Sequence, residues 1–110
     1  MASGLVVDYE IFGLTDGQHP FHVHRWGDIG SSQATFVGGH FIGNCSSCRP
    51  NGMPQEVGLL NDGVPLQSTA SLASGQFTDT VAKLRGQNTI LGRAIVVHGD
   101  LPNRGTERHA

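Results

Sequence analysis

This sequence carries little charge of either sign, which limits the partners that it can be expected to bind. Its 110 residues contain 7 lysines and arginines against 9 aspartates and glutamates, a formal net charge of −2 with histidine neutral. Proteins that bind nucleic acid present a basic patch, so this balance argues against a nucleic-acid partner. The sequence also has no apolar run of membrane-spanning length, and no membrane partner is expected.

A secretory leader pattern is missing as well. Residues 1–4 lack the basic and apolar segments of a signal peptide, so we expect either a cytosolic protein or one domain of a larger secreted protein. The chain shows no internal repeat and no linker. At this length we expect a single domain, residues 1–110, with a modest core.

Glycine, by contrast, is abundant, with 16 residues, which indicates many turns between short strands. Segment 27–56 is predicted to be mostly loop, and segment 77–84 to be either a strand or a short helical turn. The predicted strands are 5–12, 21–26, 57–60, 66–73 and 89–98. Several short strands with turn signals favour an all-β Greek-key sandwich or barrel.

The most informative motif is the stretch Phe21-His22-Val23-His24. Alternate residues of a strand point to the same face, so these two histidines can hold one metal ion together. Two more histidines stand in distinctive settings, His40 after two glycines and His98 at the end of an apolar segment. Imidazole suits copper and zinc better than calcium or magnesium. We interpret the four histidines as a redox copper site rather than as unrelated surface residues.

These segments, in this order, resemble the copper/zinc superoxide dismutase family. Residues 19–28 match the family's Gly-Phe-His-Val-His…Gly-Asp stretch, and residues 39–41 match its Gly-Pro-His-Phe. Residues 91–98 match Ile-Gly-Arg-x-x-Val-Val-His, and the resemblance runs from about Val6 to the C-terminus. It implies an all-β, immunoglobulin-like Greek-key sandwich or barrel, truncated at both ends relative to the family.

The resemblance also assigns roles to the histidines. It implies that His22, His24, His40 and His98 are copper ligands, and that His40 matches the residue that bridges copper to zinc in ordinary members. His19 matches a structural histidine that supports the ligand strand. The implied substrate is superoxide, with His40 as the proton carrier.

The zinc half of the site departs from the family. No histidine occurs between His40 and His98, so the ordinary zinc site cannot be built. Glu56 falls close to the place of one zinc histidine, where zinc-less, copper-only members have a carboxylate. A ligating imidazole needs its second nitrogen held by an acceptor, so we expect Glu56 to orient His40 and zinc to be absent. The alternative is a surface carboxylate beside a strand.

Cys45 and Cys48 leave two readings open. Cys48 stands eight residues after His40, the same spacing as the family's first zinc histidine, so both cysteines with His40 and Glu56 could form an alternative zinc site. We favour a local disulfide or two free thiols, because two cysteines alone are weak support for a zinc site. A disulfide would indicate an oxidising compartment.

Arg108 is the last candidate. Only nine residues separate it from His98, as expected if the family's long electrostatic loop is absent, and it corresponds to the active-site arginine. It is therefore either an anion guide for superoxide or a solvated arginine of the chain end.

The sequence predicts superoxide dismutation at a four-histidine copper site without zinc. A copper-binding module for storage or delivery, with little turnover, is the alternative, and a structural domain without metal is a third. We also expect pairing with another copy or with neighbouring domains, because missing flanking strands expose sheet edges.

Overall fold

The computed structural model describes residues 4–30, 35–99 and 107–109. Within these residues the chain forms β-strands and two short 3-10 helices, and no α-helix. The strands are β1 (Leu5–Phe12), β2 (Gly17–His19), β3 (Phe21–His24), β4 (Leu66–Ser68), β5 (Leu72–Asp79), β6 (Ala94–His98) and β7 (Glu107–His109). The 3-10 helices are Thr35–Val37 and Leu60–Gly63. The prediction of an all-β fold is confirmed, and no helix in the described ranges could cross a membrane.

The strands pair in three antiparallel groups. β1 pairs with β5 along its whole length, from Leu5 opposite Asp79 to Phe12 opposite Leu72. β2 pairs with β4, and β3, β6 and β7 form a three-stranded sheet in that order. Along β1 half-buried and exposed residues alternate, as a strand with one face toward the core requires.

The core determines where the histidines of β3 point. Phe21 and Val23 are 7% and 1% exposed and pack into the main apolar cluster, with Phe21 edge-to-face against Phe77 at 5.7 Å. Because successive side chains of a strand alternate between faces, His22 and His24 lie on the face opposite the cluster. Burial of the apolar pair thus fixes the orientation of the histidine pair.

The predicted strand 57–60 is wrong. Val57 and Gly58 lie in a turn, and their N–H groups donate to the carbonyls of Ile42 and Phe41 at 3.0 and 2.9 Å. A 3-10 helix follows at Leu60–Gly63, where Asn61 has a positive φ of 54°. The apolar run is buried, but it is buried as a turn packed against the segment that carries His40.

The other strand boundaries also shift. The predicted strand 66–73 is divided by a turn in which Ala70 and Ser71 have positive φ, so β4 and β5 are separate strands that belong to different sheets. Segment 77–84, predicted as a strand or a short helical turn, is strand only as far as Asp79, where β5 ends. The Asp79 carboxylate accepts the N–H groups of residues 81 and 82 and turns the chain. The last long strand begins at Ala94 rather than at 89. β2 and β7 were not predicted.

Candidate metal centre

Strand pairing and one loop bring the four histidines together. β3 and β6 are antiparallel, with His22 opposite Val96, and the N–H of His98 donates to the Pro20 carbonyl at 2.8 Å. His40 lies in the loop but forms a β-bridge with His24, so its backbone continues the sheet beside β3. Residues 76 positions apart in sequence, His22 and His98, thereby become neighbours.

The imidazole nitrogens converge on one point. Each of the four histidines contributes one ring nitrogen, and these four nitrogens all lie within 4.8 Å of one another. The Nδ1 of His22 is 3.2 Å from the Nε2 of His98, and the rings of His22 and His40 stack at 4.0 Å. A metal bonded to nitrogen at about 2 Å holds its ligand atoms roughly 3–4 Å apart, so small side-chain movements would complete a site.

The nitrogens that face away from this point are held by oxygen acceptors. His24 donates its Nδ1–H to the Gly38 carbonyl at 2.8 Å. His40 donates its Nδ1–H to Oε1 of Glu56 at 2.9 Å. Such outer hydrogen bonds fix the tautomer and the plane of a ligating ring. In both residues Nε2 is therefore the nitrogen directed at the cluster.

Electrostatics keep the central imidazole neutral. Burial lowers the pKa of His22 from 6.5 to about 3, with further lowering from His40, His98 and His24. Only the neutral imidazole offers a lone pair to a metal. The cluster therefore suits a cation that four neutral nitrogens can bind, which for this donor type means copper or zinc rather than calcium or magnesium.

Comparison with known proteins fits this geometry. The sequence model of the family described as Copper/zinc superoxide dismutase matches residues 1–109. The chain belongs to the copper/zinc superoxide dismutase family. The resemblance inferred from the motifs is confirmed, and the four converging histidines form the candidate metal centre of this superoxide dismutase family member.

Individual relatives agree with this assignment. The chain is 35% identical over 95 residues to superoxide dismutase (Cu-Zn) A of Xenopus laevis, a match that covers 86% of this chain and 60% of the relative. It is 35% identical over 97 residues to superoxide dismutase (Cu-Zn) 5 of Dictyostelium discoideum, covering 87% and 62%. It is 33% identical over 97 residues to an extracellular superoxide dismutase (Cu-Zn) of Caenorhabditis elegans, covering 87% and 42%. The chain therefore spans less than two thirds of the length of these superoxide dismutases.

His19 lies beneath the candidate metal centre of this family member. Its side chain is 2% exposed, with Nδ1 at 2.8 Å from the carbonyl oxygen of His98 and Nε2 at 2.7 Å from that of Thr15. These contacts tie the turn before β2 to the end of β6. They place His19 against the backbone of a candidate ligand rather than within the ring cluster.

Cys45 and Cys48 form a disulfide in this superoxide dismutase family member. Zinc binds cysteine as the thiolate, and a disulfide offers none. In this form the alternative zinc site loses both of its sulfur ligands. The remaining two members of that proposed site, His40 and Glu56, contact each other.

The backbone of Arg108 is part of the three-stranded sheet that carries His22, His24 and His98. It lies on β7, where its Cα is opposite that of Val97 on the adjacent strand β6. Val97 directly precedes the candidate ligand His98. Its side chain is outside the described part of the structure. Its proposed part in guiding an anion stays a prediction.

Arg49 is the residue that sequence reasoning missed. Its side chain is 1% exposed and pairs with Asp79, which is fully buried, at 2.8 Å. A second carboxylate, Asp62, lies 3.0 Å away and is 54% exposed. Arg49 stands in a loop without hydrophobic periodicity, so no sequence signal indicates its burial.

Proposed function

We propose that this protein is a copper-dependent superoxide dismutase that uses a four-histidine copper centre and needs no zinc. The observation that supports this most directly is the convergence of four imidazoles, one of which is held from behind by a carboxylate. Family membership supplies the reaction class. The chain spans only about 60% of the length of the first two relatives. The activity of this chain itself is therefore the point to test.

The donor set fits copper. His22, His24, His40 and His98 would hold the ion through neutral ring nitrogens, which copper accepts readily. When bound, copper supplies one-electron redox chemistry, so that one superoxide is oxidised to dioxygen and a second, with two protons, is reduced to hydrogen peroxide. The protein then has to admit a small anion and deliver protons.

His40 is positioned to handle a proton. Its side chain is 32% exposed, while that of Glu56 is 17% exposed, so the ring is reachable from solvent and the carboxylate is largely covered. Because Glu56 holds Nδ1–H, the opposite nitrogen, Nε2, can bind a proton and give it up without rotation of the ring. We assign His40 as the proton carrier and Glu56 as the group that keeps it in place.

Zinc is unnecessary in this arrangement. The Nδ1 of His40 is the nitrogen that a second metal would need, and it already donates to Glu56 at 2.9 Å. The sequence has no histidine between His40 and His98, and the two cysteines are paired with each other. The disulfide further supports an oxidising compartment for the protein. We assign Arg108 as an anion guide, since a guanidinium attracts a small negative substrate.

The test is the rate of superoxide decay with the protein loaded with copper and kept free of zinc. We expect acceleration well above that of the metal-free protein, in the presence of enough chelator to remove loosely bound copper. Glu56→Gln should lower the rate by about 10- to 100-fold while copper content is retained. Glu10→Gln makes the same chemical change at an exposed position of β1 and should leave the rate unchanged.

Two outcomes would contradict the proposal. Stoichiometric copper that depends on His98 but gives no acceleration would make the chain a copper-binding module. Zinc at about one per chain after addition of both metals would contradict the zinc-free assignment. A Glu56→Gln variant that keeps the full rate would remove the proposed role of Glu56 alone.

A further inference from the structure

The loop that carries Glu56 is held by a buried guanidinium. Arg49 donates Nε–H to the Glu56 carbonyl at 3.0 Å and Nη2–H to the Val57 carbonyl at 2.5 Å. It therefore binds two successive backbone oxygens, one of them belonging to the residue whose side chain contacts His40. A guanidinium is planar and presents its donors in a rigid fork, so these contacts restrict both the position and the direction of this backbone.

The guanidinium is in turn anchored to the sheet. Nη1 donates to Oδ2 of Asp79 at 2.8 Å, and the same oxygen accepts the N–H of Asn61 at 3.1 Å. The other oxygen, Oδ1, accepts the N–H groups of Val81 and Ala82, both at 2.9 Å. Asp79 is the last residue of β5. Arg49 thus connects the Glu56 backbone to a strand end that is fixed from several directions.

Besides the bond from Arg49, the backbone hydrogen bonds of Glu56 itself are local. The N–H of Glu56 donates to Pro54, and its carbonyl accepts the N–H of Leu59. Bonds between residues two or three positions apart shape a turn, but they do not place it relative to the rest of the molecule. The Val57 and Gly58 N–H groups reach Ile42 and Phe41, and the Gly58 carbonyl accepts the N–H of Val23, so these bonds align the turn with the His40 segment and with β3. Arg49 supplies the tie to β5.

We propose that Arg49 is a positioning residue of the metal centre, which sets the Glu56 carboxylate against Nδ1 of His40. The inference rests on the proposed function, since it concerns the same site. Stability alone does not explain such an arrangement, because a buried ion pair often stabilises a protein no more than apolar residues of similar volume. By connecting the Glu56 turn to the end of β5, the guanidinium restricts the direction in which the Glu56 side chain leaves the backbone.

The first test uses metal-free protein and the ¹⁵N and ¹H resonances of the His40 ring. In the wild type we expect one tautomer, with the proton on Nδ1. Arg49→Lys keeps the charge, but one ammonium cannot reach two carbonyls and Asp79 together, so we expect a mixture of tautomers. Asp62→Asn removes only the charge of the half-exposed partner of Arg49 and should preserve the single tautomer.

A matched core variant distinguishes a positioning role of Arg49 from a general effect of lowered stability. Phe77→Leu destabilises the core on β5 and changes none of the hydrogen-bonding groups of Arg49 or Glu56, and it should leave the His40 tautomer as in the wild type. If Arg49→Lys fails to fold, Asp79→Glu is the second variant. It keeps the ion pair but moves the guanidinium by one methylene, and we again expect a mixture of tautomers.

The second readout is the Cu(II) electron paramagnetic resonance spectrum at one copper per chain. We expect an altered spectrum in Arg49→Lys, and a copper affinity lower by up to about 10-fold, below the usual range for a direct partner of a ligand. A wild-type tautomer and spectrum in folded Arg49→Lys would overturn the inference, as would equal changes in Phe77→Leu. Failure of the wild type to bind copper through the histidines would instead overturn the proposed function. The tautomer measurement uses metal-free protein, so its result does not depend on copper binding.

Discussion

The histidine cluster and the Arg49–Asp79 pair are two buried polar groups built on opposite electrostatic principles. In the cluster four like side chains face one another, and burial, together with their mutual proximity, lowers the pKa of His22 to about 3. In the pair, burial by itself would raise the pKa of Asp79, but hydrogen bonds from Arg49, Ala82 and Val81 outweigh it and hold that pKa below 3.8. One group repels an added proton, and the other retains a fixed charge.

This difference indicates what each group needs. The Arg49–Asp79 pair is satisfied by the chain itself, because each charge faces its opposite and the other donors meet carbonyls. The cluster gathers lone pairs and supplies no cation of its own. We therefore expect the pair to matter for folding without metal, and the cluster to matter for metal binding and little for folding.

The largest expected effect comes from breaking the pair. Asp79→Ala leaves the Arg49 charge buried and deprives three backbone N–H groups of their acceptor. We expect the metal-free protein to lose about 3–5 kcal/mol of unfolding free energy, measured by chemical denaturation. Asp62→Ala, at a half-exposed partner, should cost less than about 1 kcal/mol. Equal losses in the two variants would show that burial of the pair is unimportant.

The matching change in the cluster should separate metal binding from folding. His98→Ala removes one of the four converging nitrogens. Because loss of a residue that merely supports a ligand costs roughly 10- to 100-fold in metal affinity, we expect loss of a ligand to exceed about 100-fold. His109→Ala makes the same change at a histidine that is not one of the four. Copper titration monitors affinity, and unchanged affinity in His98→Ala would exclude it as a ligand.

The two regions also differ in how far the sequence predicts them. β1 was predicted at its observed bounds, Leu5–Phe12, because alternation of apolar residues is a local signal. The histidines were found through motifs, since strand periodicity and recognisable neighbours mark them. The strand predicted at 57–60 is wrong and the burial of Arg49 was missed because both depend on contacts between residues distant in sequence. Val57 and Gly58 donate to Ile42 and Phe41, Arg49 pairs with Asp79, 30 residues away, and no local pattern encodes either contact.

The smallest expected effect is the change in unfolding free energy for each pH unit, which is at most about 1.4 kcal/mol for one proton. The pKa of His22 falls from 6.5 to about 3 on folding, so between these values the unfolded chain binds a proton that the folded protein does not. Stability of the metal-free protein should therefore decrease as pH falls from 6.5 toward 3. Asp79 has a pKa below 3.8 when folded, so its contribution is present above 3.8 and is lost below that value.

These two windows allow each region to be removed separately. In His22→Gln the loss of stability between pH 6.5 and 4 should become shallower, because the group that resists protonation is gone. In Asp79→Asn that loss should persist, while the further decrease below pH 3.8 should diminish. Unfolding free energies of metal-free protein, measured by denaturant titration at each pH, provide the comparison. An unchanged slope above pH 4 in His22→Gln would show that folding does not lower the pKa of His22, and the contrast between the two regions would fail at the cluster.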